Sequence, residues 1–540
     1  MTSAKRKFLT VGLLIFALWT LFYNLGKPNF YHLRNESRRA QISQEMIETG
    51  NWLIPQLEEE TILTKPPLFY WSVAVCSLKT GVTELTARMP SAVAGFGTVI
   101  FTLLIGTLLF NLHTGFLAAF ALLAMNFFMH QARYAELESM LSFFVSAAIY
   151  FFLKGYKEPS RRTLWFALFF AMMGLGMMTK GPFALTFPFI PIIGFLLITR
   201  ELRLLRSRAF LLGLLPFFII VLPWPVFIMK DNPDFIKLVL WETAVRAATG
   251  FVHREPFQFY FLEIIRVLFP WIFMLPFAVW LACSRRLQKS RKENIFVLLW
   301  FLGNLLFLSL LKSKRDYYLF PIAPAVALLV GATWQPFWQW LRDKMPVQKA
   351  VCLRAAFFAG IACAGASFFA GNPLAVNIPE MHSLDFAPLL LFAGVCLMAA
   401  STAKIFMPRT ALDKIAFTTV MALMLVVHFA YFTFTVPLRN MQDSGKDFYR
   451  DVARIVPKNE RLGFVWKNEN YTFIFYARRP MATIKDEKDI PDFMASPEKT
   501  WLVMRGHRFE KLSPLPWRIA ARTPYAEHDS WKGYVLLCNQ

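Results

Sequence analysis

Charge is scarce in this chain. Of 540 residues, 17% are Asp, Glu, Lys or Arg, while 56% are hydrophobic and Phe alone contributes 57. A soluble protein of this length cannot hide so much apolar side chain, which excludes the ordinary soluble classes. Acidic residues are scarcer than basic ones, 35 against 58, for a net charge of +23. Such an excess invites a nucleic-acid reading. Its distribution argues against one, because most of it lies in short loops between apolar runs, the positive-inside pattern. Cysteine is sparse too. Cys76, Cys283, Cys352, Cys363 and Cys396 lie in or next to apolar segments and Cys538 is near the C-terminus. No CxxC or metal-ligand spacing links them, so no disulfide framework is implied. The sequence also lacks a Gly-rich phosphate loop, an internal repeat and any low-complexity segment.

What is present is a series of apolar runs of about 20 residues, each long enough to cross a hydrocarbon layer of ~30 Å. They fall at 8–24, 89–111, 115–131, 140–156, 163–178, 183–199, 209–229, 266–284, 295–312, 317–334, 350–371, 385–403 and 415–437. These predict an α-helical polytopic membrane protein of about 13 spans. The first run follows Lys5, Arg6 and Lys7 with no small-residue cleavage site after it, so it is expected to be a retained span. Basic clusters occur at Lys5–Lys7, Lys154–Arg162, Arg200–Arg208, Arg285–Lys292, Arg342–Lys349 and Lys404–Lys414. If all are cytoplasmic, an even number of spans must separate each pair. The parity closes provided 66–81 lies at the interface instead of crossing. That segment opens with Pro66-Pro67 and contains Ser72, Ser77 and Lys79. The N-terminus is then inside, residues 1–437 form the membrane domain with outer-face loops 25–88 and 230–265, and 438–540 lie outside. This last part is polar. An amphipathic stretch near Lys446–Val456 and the runs "RLGFVW", "TWLVMR" and "GYVLLC" predict a small soluble α/β domain.

The same topology sends a set of charged motifs to one face. They are "YHLRNESRRAQI" (31–42), "LTKPP" with Lys65, "RYAELES" with Arg133, Glu136 and Glu138, "TKGP" with Lys180, "WETAVRAATGFVHREPF" with Glu242, Arg246 and His253, and "SKRDYY" with Tyr317. Ionisable groups at membrane depth are expensive unless they face a wet cavity or a charged ligand. Arg and Lys mixed with carboxylates suit a phosphate-bearing lipid head together with acid–base work. Each motif also has a plainer reading. Lys65 or Lys180 could snorkel to the interface, Glu138 could pair with Arg133, and the Arg-rich stretch could be a solvated helix face. "NES" and "NYT" fit a glycosylation acceptor pattern that arises often by chance.

The ordered motifs "RNESRRAQISQEMIETGNWLIPQL", "LTKPPLFYW", "ARMPSAV", "RYAELESMLSFF", "MTKGPFAL", "PWPVFI", "WETAVRAA", "PFQFYFLEIIRVLFPW" and "SKRDYYLFPIAPAVALL" resemble those of bacterial lipid A aminoarabinose transferases. More distantly the chain is similar to protein O-mannosyltransferases, both being GT-C membrane glycosyltransferases. The likeness runs from the first span to about residue 334, and "FIFYARRPMATIKD" in the tail also fits. It implies a glycosyltransferase of the bacterial inner membrane. The donor would be a sugar on a polyprenyl (undecaprenyl) phosphate, and transfer would invert the anomeric centre. The acceptor would be a lipid A-like lipid, a glycan or a protein on the periplasmic side. Carried across, Arg38 matches the motif Arg of the first loop, Lys65 the Lys before Pro-Pro and Arg246 the loop Arg. Lys180, Arg133 and Tyr317 join them as candidate phosphate- or substrate-binding residues, and Arg39 or Arg34 could assist Arg38. Glu138 falls where the family usually has Asp. The leading acid of the first-loop motif is Asn35 here, with Glu36 retained. Glu242 stands where His can occur, which puts the family's zinc in doubt and leaves a divalent metal open as a cofactor. Three explanations of Asn35 stand: Glu36 or Glu138 takes over as base, the acceptor is already ionised, or the chain is a degenerate relative. From the residues alone, a flippase for lipid-linked sugar and an inert scaffold acting through 438–540 are the competing classes.

Overall fold

The structure is a computed structural model that describes residues 3–30, 35–57, 60–63, 65–241, 254–344, 412–436, 445–465, 471–479, 481–484, 486–512, 516–523 and 533–540. The expected spans at 350–371 and 385–403, and the candidate Arg246, lie outside the described residues.

The apolar runs fold as helices because a chain in hydrocarbon must satisfy its own backbone. In order they begin α1 (Ser3–Phe22), α2 (Glu36–Thr49), α3 (Leu68–Ser77), α4 (Glu84–Leu109), α5 (Leu112–Ala124), α6 (Asn126–Gln131), α7 (Leu137–Lys157), α8 (Arg162–Lys180) and α9 (Phe183–Ile198). Helix α4 opens on a reciprocal cap, with the Thr83 hydroxyl accepting from the Thr86 N–H and the Thr86 hydroxyl from the Thr83 N–H. Asn111 caps α5. Where α4 and α5 cross, Gly106 and Gly115 let the backbones touch; a Cβ on Gly106 would stand 2.7 Å from the Gly115 Cα. Among the described residues six helices are long and apolar enough to span, and five shorter apolar ones accompany them. The expected interfacial piece is α3, whose 10 residues reach ~15 Å. The expected span 266–284 differs from expectation. It is broken between Phe259–Val267 and Leu275–Cys283, because Pro270 and Pro276 each remove a backbone donor.

Helices α7 and α8 run antiparallel, so Glu138 and Lys180 share one end while Lys157 and Arg162 share the other, ~30 Å away. At that far end the basic loops meet. Lys157 lies 3.7 Å from Glu293, and Lys292 lies 3.9 Å from Glu201. Three clusters assigned to one side from the sequence therefore do share an end of the bundle.

At the Glu138 end, α2 is fixed across the head of α4 by a buried bidentate pair. The Arg88 Nε and second guanidinium nitrogen donate to the two Glu36 oxygens at 2.8 and 3.0 Å, and the Ala135 N–H donates to Glu36 at 2.8 Å. Arg88 also holds the carbonyls of Leu25 and Asn29 at 3.1 Å each, and that of Pro28. Above lies a five-stranded sheet in the order β4 (Ala482–Ile484), β3 (Arg461–Val465), β5 (Thr500–Arg505), β7 (Tyr534–Cys538), β6 (Arg518–Arg522), parallel on the β4-β3-β5 side and antiparallel beyond. The two-stranded β1 (Gln56–Leu57) and β2 (Glu60–Thr61) form a separate small hairpin. Alternate residues of β5 and β7 serve different faces. Leu502, Met504, Val535 and Leu537 pack under Phe493 and Met494. Trp501, Val503, Tyr534 and Leu536 join Phe448, Tyr449 and Phe473 in a core that continues into Ile42, Met46, Phe69 and Val73 of α2 and α3. The sheet is thus built into the first outer loop. Tyr476 seals the joint, donating to Glu84 at 2.9 Å and accepting from the Phe30 N–H at 2.7 Å, while Lys446 also meets Glu84. Burial, with the Glu84 charge beside it, pushes the Tyr476 phenol well above its usual range and keeps it a donor.

Removing one member of a buried ion pair strands the other. Glu36→Ala is expected to cost about 3–5 kcal/mol, seen as a lower unfolding temperature of the purified protein in detergent. The double change Glu36→Leu with Arg88→Met should not restore it, because the Ala135 N–H and the carbonyls of Leu25, Pro28 and Asn29 lose their partners as well. An unfolding temperature unchanged in Glu36→Ala would contradict this account.

Candidate active site

The ends of α2, α7 and α8 close around one cavity of about 650 Å³. Asn35, Arg38 and Arg39 enter from α2 and its start, and Lys65 from the loop before α3. Glu138 comes from the first turn of α7 and Lys180 from the last of α8. The segment 311–318 gives Ser313, Arg315, Tyr317 and Tyr318. Val221, Trp224, Phe235, Ile236 and Val239 make an apolar wall on another side.

The turn "TKGP" aims Lys180. Gly181 has φ +78° and ψ −165°, a conformation open essentially to glycine, and Pro182 then starts α9. Lys180 Nζ lies 2.9 Å from Glu138 and 4.4 Å from the Tyr318 ring centre, with the Tyr317 ring at 5.6 Å. The second Glu138 oxygen is buried with no hydrogen-bond partner among the described residues. Arg39 is held by Glu136 at 2.6 Å and by the Ala135 carbonyl at 2.7 Å. Burial pulls its pKa down, but the charges of Glu136 and Glu138 outweigh that and hold it above its ordinary value. Arg38 has a buried Nε with no hydrogen-bond partner among the described residues, and its guanidinium carbon sits 5.3 Å from the Tyr471 ring centre.

The 311–318 segment is stitched to the end of the second outer loop. Arg254 bridges to Ser313, Lys314 donates to the Glu255 carbonyl at 2.9 Å, and the Tyr260 hydroxyl donates to the Arg315 carbonyl at 3.1 Å. Burial raises the Tyr260 phenol well above its usual range, so this donor persists. Arg266 braces Asp316 at 2.7 Å.

Asn35, Arg38, Lys65, Glu138, Lys180 and Tyr317, proposed from sequence, therefore share the cavity. Two other candidates do not line it. Glu36 is fully buried behind α2 with both oxygens engaged by Arg88, which leaves it no access to a substrate. Arg133 spends its donors on the carbonyls of Thr20 (2.6 Å) and Tyr23 at the end of α1, and its guanidinium lies 3.8 Å over the Phe432 ring. Burial and the nearby Arg88 charge lower its pKa to about 9, still cationic at neutral pH. Glu138 pairs with Lys180 and not with Arg133. Arg315, Tyr70 and Tyr318 line the cavity without having been singled out; "SKRDYY" contained two of them, and only Tyr317 was chosen. As for the divalent metal, no set of three or more His, Cys, Asp or Glu positioned to bind one occurs among the described residues, and Glu242 and His253 lie outside them.

Comparison with known proteins bears on the fold and on the chain's relatives. The profile of the family described as dolichyl-phosphate-mannose-protein mannosyltransferase matches residues 8–239. The undecaprenyl phosphate-alpha-4-amino-4-deoxy-L-arabinose arabinosyl transferase 2 of Proteus mirabilis is 29% identical over 332 residues, covering 59% of each chain. The transferase of the same name in Pseudomonas savastanoi pv. phaseolicola is 31% identical over 59% of this chain and 60% of its own. An uncharacterised protein of Aquifex aeolicus is 30% identical over 60% of this chain and 63% of its own. The chain thus spans between 59% and 63% of the length of these relatives. In three dimensions, ArnT of Cupriavidus metallidurans bound to undecaprenyl phosphate superposes with a TM-score of 0.78 at 20% identity, over 98% of both chains. Its apo form gives 0.76. The fold is that of the ArnT structures. In sequence the chain is similar, over part of its length, to the aminoarabinose transferases and to the mannosyltransferase family.

Gly181→Ala is expected to destabilise the protein by about 1–3 kcal/mol from backbone strain alone, since a Cβ there would meet nothing within 4 Å. Gly12→Ala, equally uncrowded but in regular helix, should be neutral or slightly stabilising. Thermal unfolding of both variants checks the contrast, and equal shifts would refute it.

Proposed function

We propose that this protein is a membrane glycosyltransferase that moves a sugar from a polyprenyl (undecaprenyl) phosphate to an anionic group of an envelope acceptor on the periplasmic face. The observation that carries the reading is the composition of the cavity. Among the described residues, five cations (Arg38, Arg39, Lys65, Lys180 and Arg315) and one carboxylate (Glu138) line it beside an apolar wall. A phosphate bearing a long hydrocarbon chain matches both halves. The names of the relatives and the undecaprenyl phosphate bound to the ArnT structure support the same donor.

In the reaction an acceptor oxygen attacks the anomeric carbon from the face opposite the phosphate. The bond from that carbon to the phosphate oxygen breaks, and its electron pair leaves with the polyprenyl phosphate. Charge builds on the leaving phosphate, where Arg38, Lys65 and Arg315 would stabilise it most; Arg246 joins them by its motif. Fixed donors aimed at developing charge are worth about 10²–10³-fold each. A hydroxyl acceptor would also need a base. Asn35 cannot serve; Glu138, with Lys180 at 2.9 Å on one oxygen and no partner among the described residues on the other, is the lining carboxylate that could. An acceptor that arrives ionised, such as a lipid phosphate, needs none. About 13 spans, a cytoplasmic N-terminus, an inner-membrane location and a periplasmic domain at 438–540 complete the proposal. The gathering of charge at one end of the bundle, instead of its middle, favours chemistry over transport.

Sugar transfer in membranes carrying each variant, with radiolabelled lipid-linked sugar and total envelope acceptors, tests this. Arg38→Ala and Lys65→Ala should each lose about 10²–10³-fold in rate, while Glu138→Gln should retain most of it if the acceptor is anionic. Abolished transfer in a folded Glu138→Gln protein would restore that carboxylate as the base. No turnover by the wild type with polyprenyl-phosphate sugars would overturn the proposal.

A further inference from the structure

We propose that Tyr471, in the C-terminal sheet layer, is a positioning residue for Arg38 and thereby for the donor phosphate. The inference rests on the donor reading above and adds a role for residues beyond the membrane helices. Three arginines of α2 and α4 beneath this layer are held in different ways. Arg88 is clamped by Glu36 and Arg39 by Glu136. Arg38, half-buried and facing the cavity, is met instead by an aromatic face, with its guanidinium carbon 5.3 Å from the Tyr471 ring centre. The choice of partner has a chemical consequence. A carboxylate would consume guanidinium donors and neutralise the charge that must meet a phosphate. A ring orients the guanidinium by its quadrupole and leaves the N–H donors and the charge in place.

The ring is itself fixed. Tyr471 begins the helix Tyr471–Ala477, and the next residue, Thr472, shares a 2.9 Å hydrogen bond with the hydroxyl of Ser37, the neighbour of Arg38. Six residues into the same helix, Tyr476 is tied to Glu84 and Phe30. The sheet layer therefore meets α2 on both sides of Arg38 in the chain, through Ser37 and through the core containing Ala40 and Ile42. Its docking sets where the guanidinium stands.

The test is equilibrium binding of undecaprenyl phosphate, and of undecaprenol as its uncharged counterpart, to the full-length protein in detergent. Tyr471→Leu is expected to bind undecaprenyl phosphate about 3- to 10-fold more weakly and undecaprenol unchanged. Tyr471→Phe, which keeps the ring, should stay within about 2-fold of the wild type. In the Arg38→Ala background, Tyr471→Leu should add no further loss. Thr472→Val loses the Ser37 bond from the same helix and serves as a control for general loosening; it should leave the preference for the phosphate intact. If Tyr471→Leu does not yield folded protein, Tyr471→Met takes its place. Additive losses from Arg38→Ala and Tyr471→Leu, or equal weakening toward both lipids, would overturn the positioning role while leaving the donor reading intact. A wild type that binds the two lipids equally would overturn the donor reading itself, and the inference with it.

Discussion

The pair formed by Glu36 and Arg88 lies where the first outer loop, the head of α4 and the turn before α7 converge, and all three depend on it. Both side chains are removed from water, and neither could be buried alone. The same constraint runs through the layer. Arg39 is met by Glu136, Lys180 by Glu138, and Lys446 by Glu84. Arg133 solves it differently, with the carbonyls left unsatisfied at the end of α1. In the Glu36–Arg88 pair the bracing role is recognisable from how fully its donors and acceptors are spent.

That distinction separates what the sequence could reveal from what it could not. Apolar length and the positions of basic clusters were legible, because hydrocarbon thickness and sidedness act on each segment independently. Lys157 with Glu293 and Lys292 with Glu201 now join loops that charge alone had assigned to one side. The strands "TWLVMR" and "GYVLLC" were legible as well, from their β-rich runs. The division of labour among neighbouring charges was not. Glu36 and Arg38 are two positions apart, yet one turns into the layer toward Arg88 and the other toward the cavity. In "RYAELES" Arg133 reads as a phosphate-binding candidate and Glu138 as a catalytic one, but the first caps a helix more than a hundred residues earlier in the chain. Such outcomes depend on partners distant in sequence, and no local pattern encodes them. The break at 268–274 was missed for a different reason. Pro270 and Pro276 stand in an otherwise apolar run, and hydropathy outweighed the missing donors.

The sheet layer follows from the same physics. One face of β5 and β7 buries its side chains with Phe448 and Phe473, and that core runs on into α2 and α3. A domain merely tethered to the last span would need its own polar surface there. The apolar core is continuous between α2, α3 and the C-terminal residues, although they are some 400 positions apart in sequence.

The charge balance of the cavity bears on how such a site would accelerate a reaction. Among the described residues its lining carries five cations and one carboxylate, with a second carboxylate, Glu136, 2.6 Å from Arg39. A polyprenyl-phosphate sugar is a phosphodiester with a single negative charge. The departing phosphate is a monoester with about two at neutral pH. A lining matched only to the donor would bind it and gain nothing in rate, because substrate and transition state would be stabilised alike. Cationic excess beyond the donor's one charge favours the state in which the bond to the sugar is breaking. The excess can also hold an acceptor anion close to the donor, a juxtaposition that repulsion would otherwise oppose. On this view Asn35 in place of an acid is no deficit. A carboxylate at that position would cancel part of the positive field that both anions require.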